Sequence, residues 1–296
     1  MENQTYSSSN LYKSIAIAWL MCMFALGFSG WLGAYVEQMN LLVGSGRYIL
    51  QALVMSTLTI SCIYWIRKST YNAADINIGF AGIRHSLQHF GLGISLILAP
   101  LVITLIISEL MGWASFQFNF SSAMFVPHLT GVAIVLLFEA IPEELVFRGY
   151  IYSNLNIRFQ KWASVLLTTL LFALLPVVLA PIQTFVIEMD VNYGNSSVVT
   201  PGYVINMLVF GGFVGYLRIL FGSIWVGIGF HLLFVYMNRM MGFDENSLIQ
   251  IVSYTNESGI QFILISLLLL TLGVLLIYPK LTNKTIGWKQ YITVNK

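Results

Sequence analysis

The chain has 296 residues, of which 57% are apolar and only 9% charged, with a mean hydropathy of +0.80. Soluble domains carry about 25% charged residues. This composition excludes a disordered chain, a secreted disulfide scaffold and an ordinary cytosolic enzyme, and leaves a polytopic membrane protein. The net charge of +2 comes with no basic run, which gives nucleic acid no footing as a partner.

Stretches of about 20 apolar residues predict eight membrane spans, at about 14–36, 47–66, 89–111, 129–148, 162–185, 202–218, 222–241 and 259–279. The first run is long and lacks a small-residue cleavage site, so it reads as a retained membrane helix rather than a signal peptide. Cys22 and Cys62 lie inside apolar runs without metal spacing and read as reduced packing residues. The stretch 112–128 is rich in Phe and Ser, as in an interfacial segment. The fourth span is unusual in carrying charges. The loop 186–201 holds Glu188, Asp190 and the turn formers Asn195, Ser196 and Ser197. In the sixth span Gly211 and Gly215 have the GxxxG spacing of packed membrane helices.

With the N-terminus inside, every basic residue of the 14 except Arg47 and Arg239 falls on the inner side. The positive-inside rule therefore predicts both termini inside. The fold expected is an all-α, multi-pass helical bundle with about eight transmembrane helices, N-in and C-in. No internal repeat divides it. The organisation expected is N-terminal transmembrane helices over 1–125, a core over 126–241, and a last transmembrane helix with a cytoplasmic tail over 242–296.

The charged span reads Phe138-Glu139-Ala140-Ile141-Pro142-Glu143-Glu144-Leu145-Val146-Phe147-Arg148-Gly149-Tyr150. A charge near the bilayer centre costs about 2.5–3.5 kcal/mol, so such residues face the protein interior and often mark a functional site. Glu139 and Glu143 are four apart, which puts them on one face of an α-helix; Glu144 points about 100° further round. Glu144 and Arg148 are again four apart, with the acid first, the better order for an ion pair. Pro142 removes one helix bond and predicts a bend near Phe138. These residues support two readings. One is a buried ion pair that ties helices together. The other is a carboxylate poised for proton transfer to and from water.

The run Ile-Pro-Glu143-Glu144-Leu-Val-Phe-Arg148-Gly-Tyr resembles the first motif of the CPBP family, the CAAX-prenyl-protease and bacteriocin-processing group also called Abi proteins. The stretch from Phe210 to His231 is similar to that family's lead-in to its last motif, and Phe172-Ala-Leu-Leu-Pro176 occupies the place of the middle one. The resemblance spans about 139–238. It implies an all-helical intramembrane endopeptidase. It also implies that Glu143 activates water, that Glu144 and Arg148 orient and support the site, and that His231 assists catalysis.

Two positions depart from that pattern. The middle motif's His is Pro176, and the last motif's Asn or Asp is Val235. Proline has no proton to exchange and no lone pair for a metal. Asn238 lies seven after His231, on the same helical face. His128 lies too far along its helix from Glu143, while His85 and His89 start the third span and His89 reaches inward only if that helix packs against the fourth. A catalytic zinc needs about three protein ligands, and the matching motif places supply two adjacent carboxylates and one histidine. No metal and no cofactor are expected.

The function expected is a membrane scaffold or regulator with lost or weak peptidase activity, holding a transmembrane or lipid-modified protein or peptide in the bilayer. The alternative is an active intramembrane endopeptidase that uses Glu143 to activate water. A transporter explains the acids but not the three motif places. The location expected is the plasma (inner) membrane.

Overall fold

The computed structural model describes residues 8–70, 77–187, 198–244, 247–255 and 257–290. The expected loop residues Glu188, Asp190, Asn195, Ser196 and Ser197 lie outside them. In chain order the described elements are α1 (Ser8–Gln38), α2 (Ser45–Thr70), α3 (Ile83–Leu110), β1 (Ala114–Phe118), α4 (Ser122–Leu155), α5 (Lys161–Phe185), α6 (Pro201–Phe221), α7 (Ile224–Met240), β2 (Met241–Gly242), β3 (Ile249–Tyr254) and α8 (Glu257–Leu281). Each of the eight apolar stretches carries a helix. Among the described residues seven helices are long and apolar enough to cross a membrane. The other, α7, has 17 residues and covers the predicted span 222–241. The chain is a multi-pass helical membrane protein.

The chain forms two compact units. The first holds Met1–Phe80, Leu137–Ile224 and Gly287–Lys296. Here α1 and α2 form a hairpin whose turn needs Asn40 at φ 55° and Gly44 at φ 56°. An Arg47–Glu37 ion pair closes that turn, so Arg47, one of the two basic residues expected off the inner side, has a local partner.

Helix α5 carries Pro176 and Pro181 in its interior. Each removes a helix bond. The Trp19 indole N–H donates to the Leu171 carbonyl at 2.8 Å, beside the first break. Helix α6 starts at Thr200, whose Oγ1 accepts from the Tyr203 N–H at 3.2 Å, with Pro201 at the first helical position. It stops at Gly222, which takes the left-handed conformation at φ 67° that a non-glycine residue adopts at a cost. Gly211 and Gly215 pack on α5. A methyl at Gly215 would lie 2.6 Å from Val165 Cγ1, and one at Gly211 would lie 3.0 Å from Thr169 Cγ2. The GxxxG spacing thus brings two helices to close approach.

The second unit holds Ala81–Leu136 and Trp225–Ile286. Its helices α3 and α7 cross backbone to backbone. A methyl at Gly93 would lie 2.1 Å from the Val226 carbonyl oxygen, and one at Gly229 would lie 2.1 Å from that of Phe90. The Phe- and Ser-rich stretch contains β1, part of a three-stranded sheet ordered β1-β3-β2. β1 runs antiparallel to β3 with Ala114 opposite Tyr254 and a bulge between Ser115 and Phe116; β2 runs parallel to β3. Ala114, Ile251 and Ile263 form the small core beneath the sheet.

Candidate functional site

The three acids sit where α4 changes its winding. Residues Ile141–Glu144 form an ordinary α-turn between two wide π-type turns, Leu136–Ala140 and Leu145–Ile151. Pro142 explains the first. It lacks an N–H, and its ring would strike the Phe138 carbonyl in a regular helix. The chain widens over 136–140 to relieve that clash. The bend expected near Phe138 is therefore realised as a wide turn. Glu139 lies within it, so its four-residue spacing to Glu143 is not the plain α spacing. Glu139 and Glu143 are half-buried, whereas Glu144 is fully buried.

The ion pair expected from the four-residue spacing is present. Arg148 Nη1 donates to Glu144 Oε1 at 3.2 Å, with the two side chains 1% and 0% exposed. Arg148 Nη2 donates to the Gly211 carbonyl on α6 at 3.2 Å. The guanidinium lies 4.5 Å from the centre of the Phe172 ring on α5, as in a cation–π contact. Phe172 in turn meets Phe147 edge-on at 5.1 Å. A methyl at Gly211 would stand 3.3 Å from Arg148 Nη2, a tight contact. The arginine is thus held by a carboxylate, a carbonyl and a ring from three helices. Two charges so deeply buried need that many partners to persist.

Arg218 belongs to the same assembly, and sequence reasoning counted it only as an inner-side cation. It is buried. Nε donates to the Arg148 carbonyl at 3.0 Å. Nη2 donates to the Asn77 carbonyl at 3.1 Å and to Ser153 Oγ at 3.3 Å, and Nη1 donates to the Gly222 carbonyl. The face of Tyr152 lies 5.5 Å away. Among the described residues its charge meets no carboxylate. The signal available in the sequence was an arginine inside an apolar span, seven residues after Gly211 and four before Gly222.

The histidines lie in the second unit. His231 is buried on α7. Val235, at the place of the motif's amide or acid, is half-buried on the same helix. The exposed Asn238 donates its side-chain N–H to the Phe234 carbonyl of its own helix at 2.7 Å. His128 Nδ1 lies 2.8 Å from the Tyr236 hydroxyl. His85 and His89 stand on α3, with ring centres 6.5 Å apart. In the first unit, Pro176 is buried in α5. Among the described residues no three His, Cys, Asp or Glu side chains gather closely enough to hold a metal ion.

Residues 125–237 match the family model described as type II CAAX prenyl endopeptidase Rce1-like. The match takes in Glu143, Glu144, Arg148 and His231, together with Pro176 and Val235. No curated protein matches the chain. Residues 125–237 are thus similar to the Rce1-like endopeptidases, in agreement with the family that the motif around Glu143 resembles.

Proposed function

We propose that the chain is a pseudoprotease of the plasma (inner) membrane. It uses the frame of an intramembrane endopeptidase to hold a transmembrane or lipid-modified protein or peptide without cutting it. The residues we assign to this role are Glu143, Glu144, Arg148 and His231, within the core 126–241.

The observation that supports this reading is that two motif places, Pro176 and Val235, hold no proton-handling side chain. Pro176 and Val235 offer neither a base nor a hydrogen-bond donor. Asn238, the amide nearest along the same helix, is exposed and donates to its own backbone. Removing an oxyanion donor costs about 10²–10³ in rate. Removing a general acid–base group costs about another 10²–10⁴. Losses of that size together support a lost or weak peptidase activity. What the chain retains is the buried frame of Glu144, Arg148, Gly211 and Phe172, which keeps three helices in register.

The test is complementation of a deletion strain with the wild type or Glu143→Ala at equal protein level. Both are expected to restore function. Failure of Glu143→Ala, in a protein that folds normally, would support the alternative in which Glu143 activates water.

A further inference from the structure

Arg218 buries a full charge in a membrane helix and meets it with main-chain oxygens. Its three carbonyl partners come from three places in the chain. Arg148 lies in the second wide turn of α4, Asn77 in the segment before α3, and Gly222 in the turn that ends α6. Ser153, on the last turn of α4, takes a further bond and itself donates to the Asn77 carbonyl at 3.1 Å. The segment at Asn77 is shaped to receive the guanidinium. Gly79 stands at φ 89°, its carbonyl accepts from the Ile224 N–H at 3.2 Å, and a methyl there would lie 2.9 Å from Arg218 Cζ. The Asn77 side chain accepts from the Gly79 N–H at 2.8 Å, which holds the turn.

A planar guanidinium has five donors in a fixed fork, so it can join three carbonyls pointing from different directions. A lysine ammonium is a point charge on a flexible stem and cannot hold that fork. The carbonyl that Nε takes is that of Arg148, the residue whose side chain pairs with Glu144. We propose that Arg218 is a positioning residue of the candidate site. By holding the Arg148 carbonyl it fixes the second wide turn of α4, and so sets the direction of the Glu144–Arg148 pair and of Glu143 one residue before it. This role rests on the reading that the Glu143–Glu144–Arg148 turn is the functional part of the chain.

The experiment reads the geometry of the site and requires neither a partner nor cleavage. Glu143→Cys is introduced after Cys22→Ala and Cys62→Ala, and the purified protein is reconstituted in lipid nanodiscs. The labelling rate of the introduced thiol by a small maleimide is measured with Arg218 intact, with Arg218→Lys and with Arg218→Gln. Thr285→Cys, exposed beyond the end of α8, serves as the control position. A lost hydrogen bond to a charged group corresponds to about tenfold or more in a local equilibrium. Labelling at 143 is therefore expected to change by about tenfold in both variants, the charge-conserving lysine failing to restore it, with helix content and labelling at 285 unchanged.

Wild-type labelling in Arg218→Lys would overturn the proposal, since charge alone would then suffice. Unchanged labelling in both variants would overturn it as well. Loss of the folded protein in both would assign Arg218 to folding alone and equally overturn a positioning role. None of these results bears on whether Glu143 cuts a substrate, so the proposed function stands or falls separately.

Discussion

Arg148 and Arg218 clasp each other's helices in opposite directions. The Arg148 guanidinium on α4 donates to the Gly211 carbonyl of α6 at 3.2 Å, and the Arg218 Nε on α6 donates to the Arg148 carbonyl at 3.0 Å. Gly211 and Arg218 are seven residues apart, which puts them on one face of α6 two turns apart. The clasp therefore fixes both the spacing and the rotation of the two helices around the turn that carries the acids.

The Glu144–Arg148 pair sits in this clasp and is nearly inaccessible to solvent. Removing one partner of such a pair leaves an uncompensated buried charge and costs about 3–5 kcal/mol, whereas replacing both with apolar groups is often neutral. Glu144→Leu is therefore expected to lower stability by about that amount. Glu144→Leu with Arg148→Met should recover most of the loss. Reversible unfolding in detergent reads both values, and additive losses would contradict the account.

The contact of α5 with α6 at Gly215 is limited by one side chain, that of Val165, whose Cγ1 lies 2.6 Å from where a methyl would stand. Overpacking of this kind costs about 1–3 kcal/mol. Gly215→Ala should destabilise the protein by that amount, and Val165→Ala should rescue it. A double-mutant cycle measured by thermal unfolding checks the coupling.

Gly93 and Gly229 give the contrasting case. The atoms that block a methyl there are the main-chain oxygens of Val226 and Phe90, both at 2.1 Å. No trimmed side chain can make room. Gly93→Ala and Gly229→Ala are each expected to cost more than Gly215→Ala, and Phe90→Ala or Val226→Ala should fail to rescue them. Yield of monodisperse protein from membranes and its melting temperature report the difference.

His128 on α4 and Tyr236 on α7 meet through a 2.8 Å bond between ring nitrogen and hydroxyl. Tyr236→Phe keeps the ring and removes the bond, at a cost of about 0.5–1.5 kcal/mol. His128→Phe together with Tyr236→Phe should cost less than the sum of the two single changes. The same unfolding measurement decides this.

The helices were legible because bilayer thickness forces long apolar runs, and α1 to α8 each coincide with one. The Glu144–Arg148 bond was legible because residues four apart meet along a helix, and these long side chains still reach each other at 3.2 Å although Arg148 stands in the second wide turn. Gly211 and Gly215 showed a packing seam for a similar reason. Other features had no simple periodic signal. The wide turns on either side of Ile141–Glu144 depend on how a proline clash is relieved, which sequence spacing does not encode. Arg218 was missed because its partners are main-chain carbonyls, which every residue carries. The strands Ala114–Phe118 and Ile249–Tyr254 pair across more than a hundred residues, and each is too short to show a firm alternation of its own.

The central claim is that the chain holds a partner in the membrane without cutting it. The most direct test is a survey of protein N-termini in a deletion strain complemented with the wild type or with Glu143→Ala at equal expression. The account predicts the same termini in both strains. New N-termini that appear with the wild type and vanish with Glu143→Ala would contradict it, and would identify the substrate of an active endopeptidase.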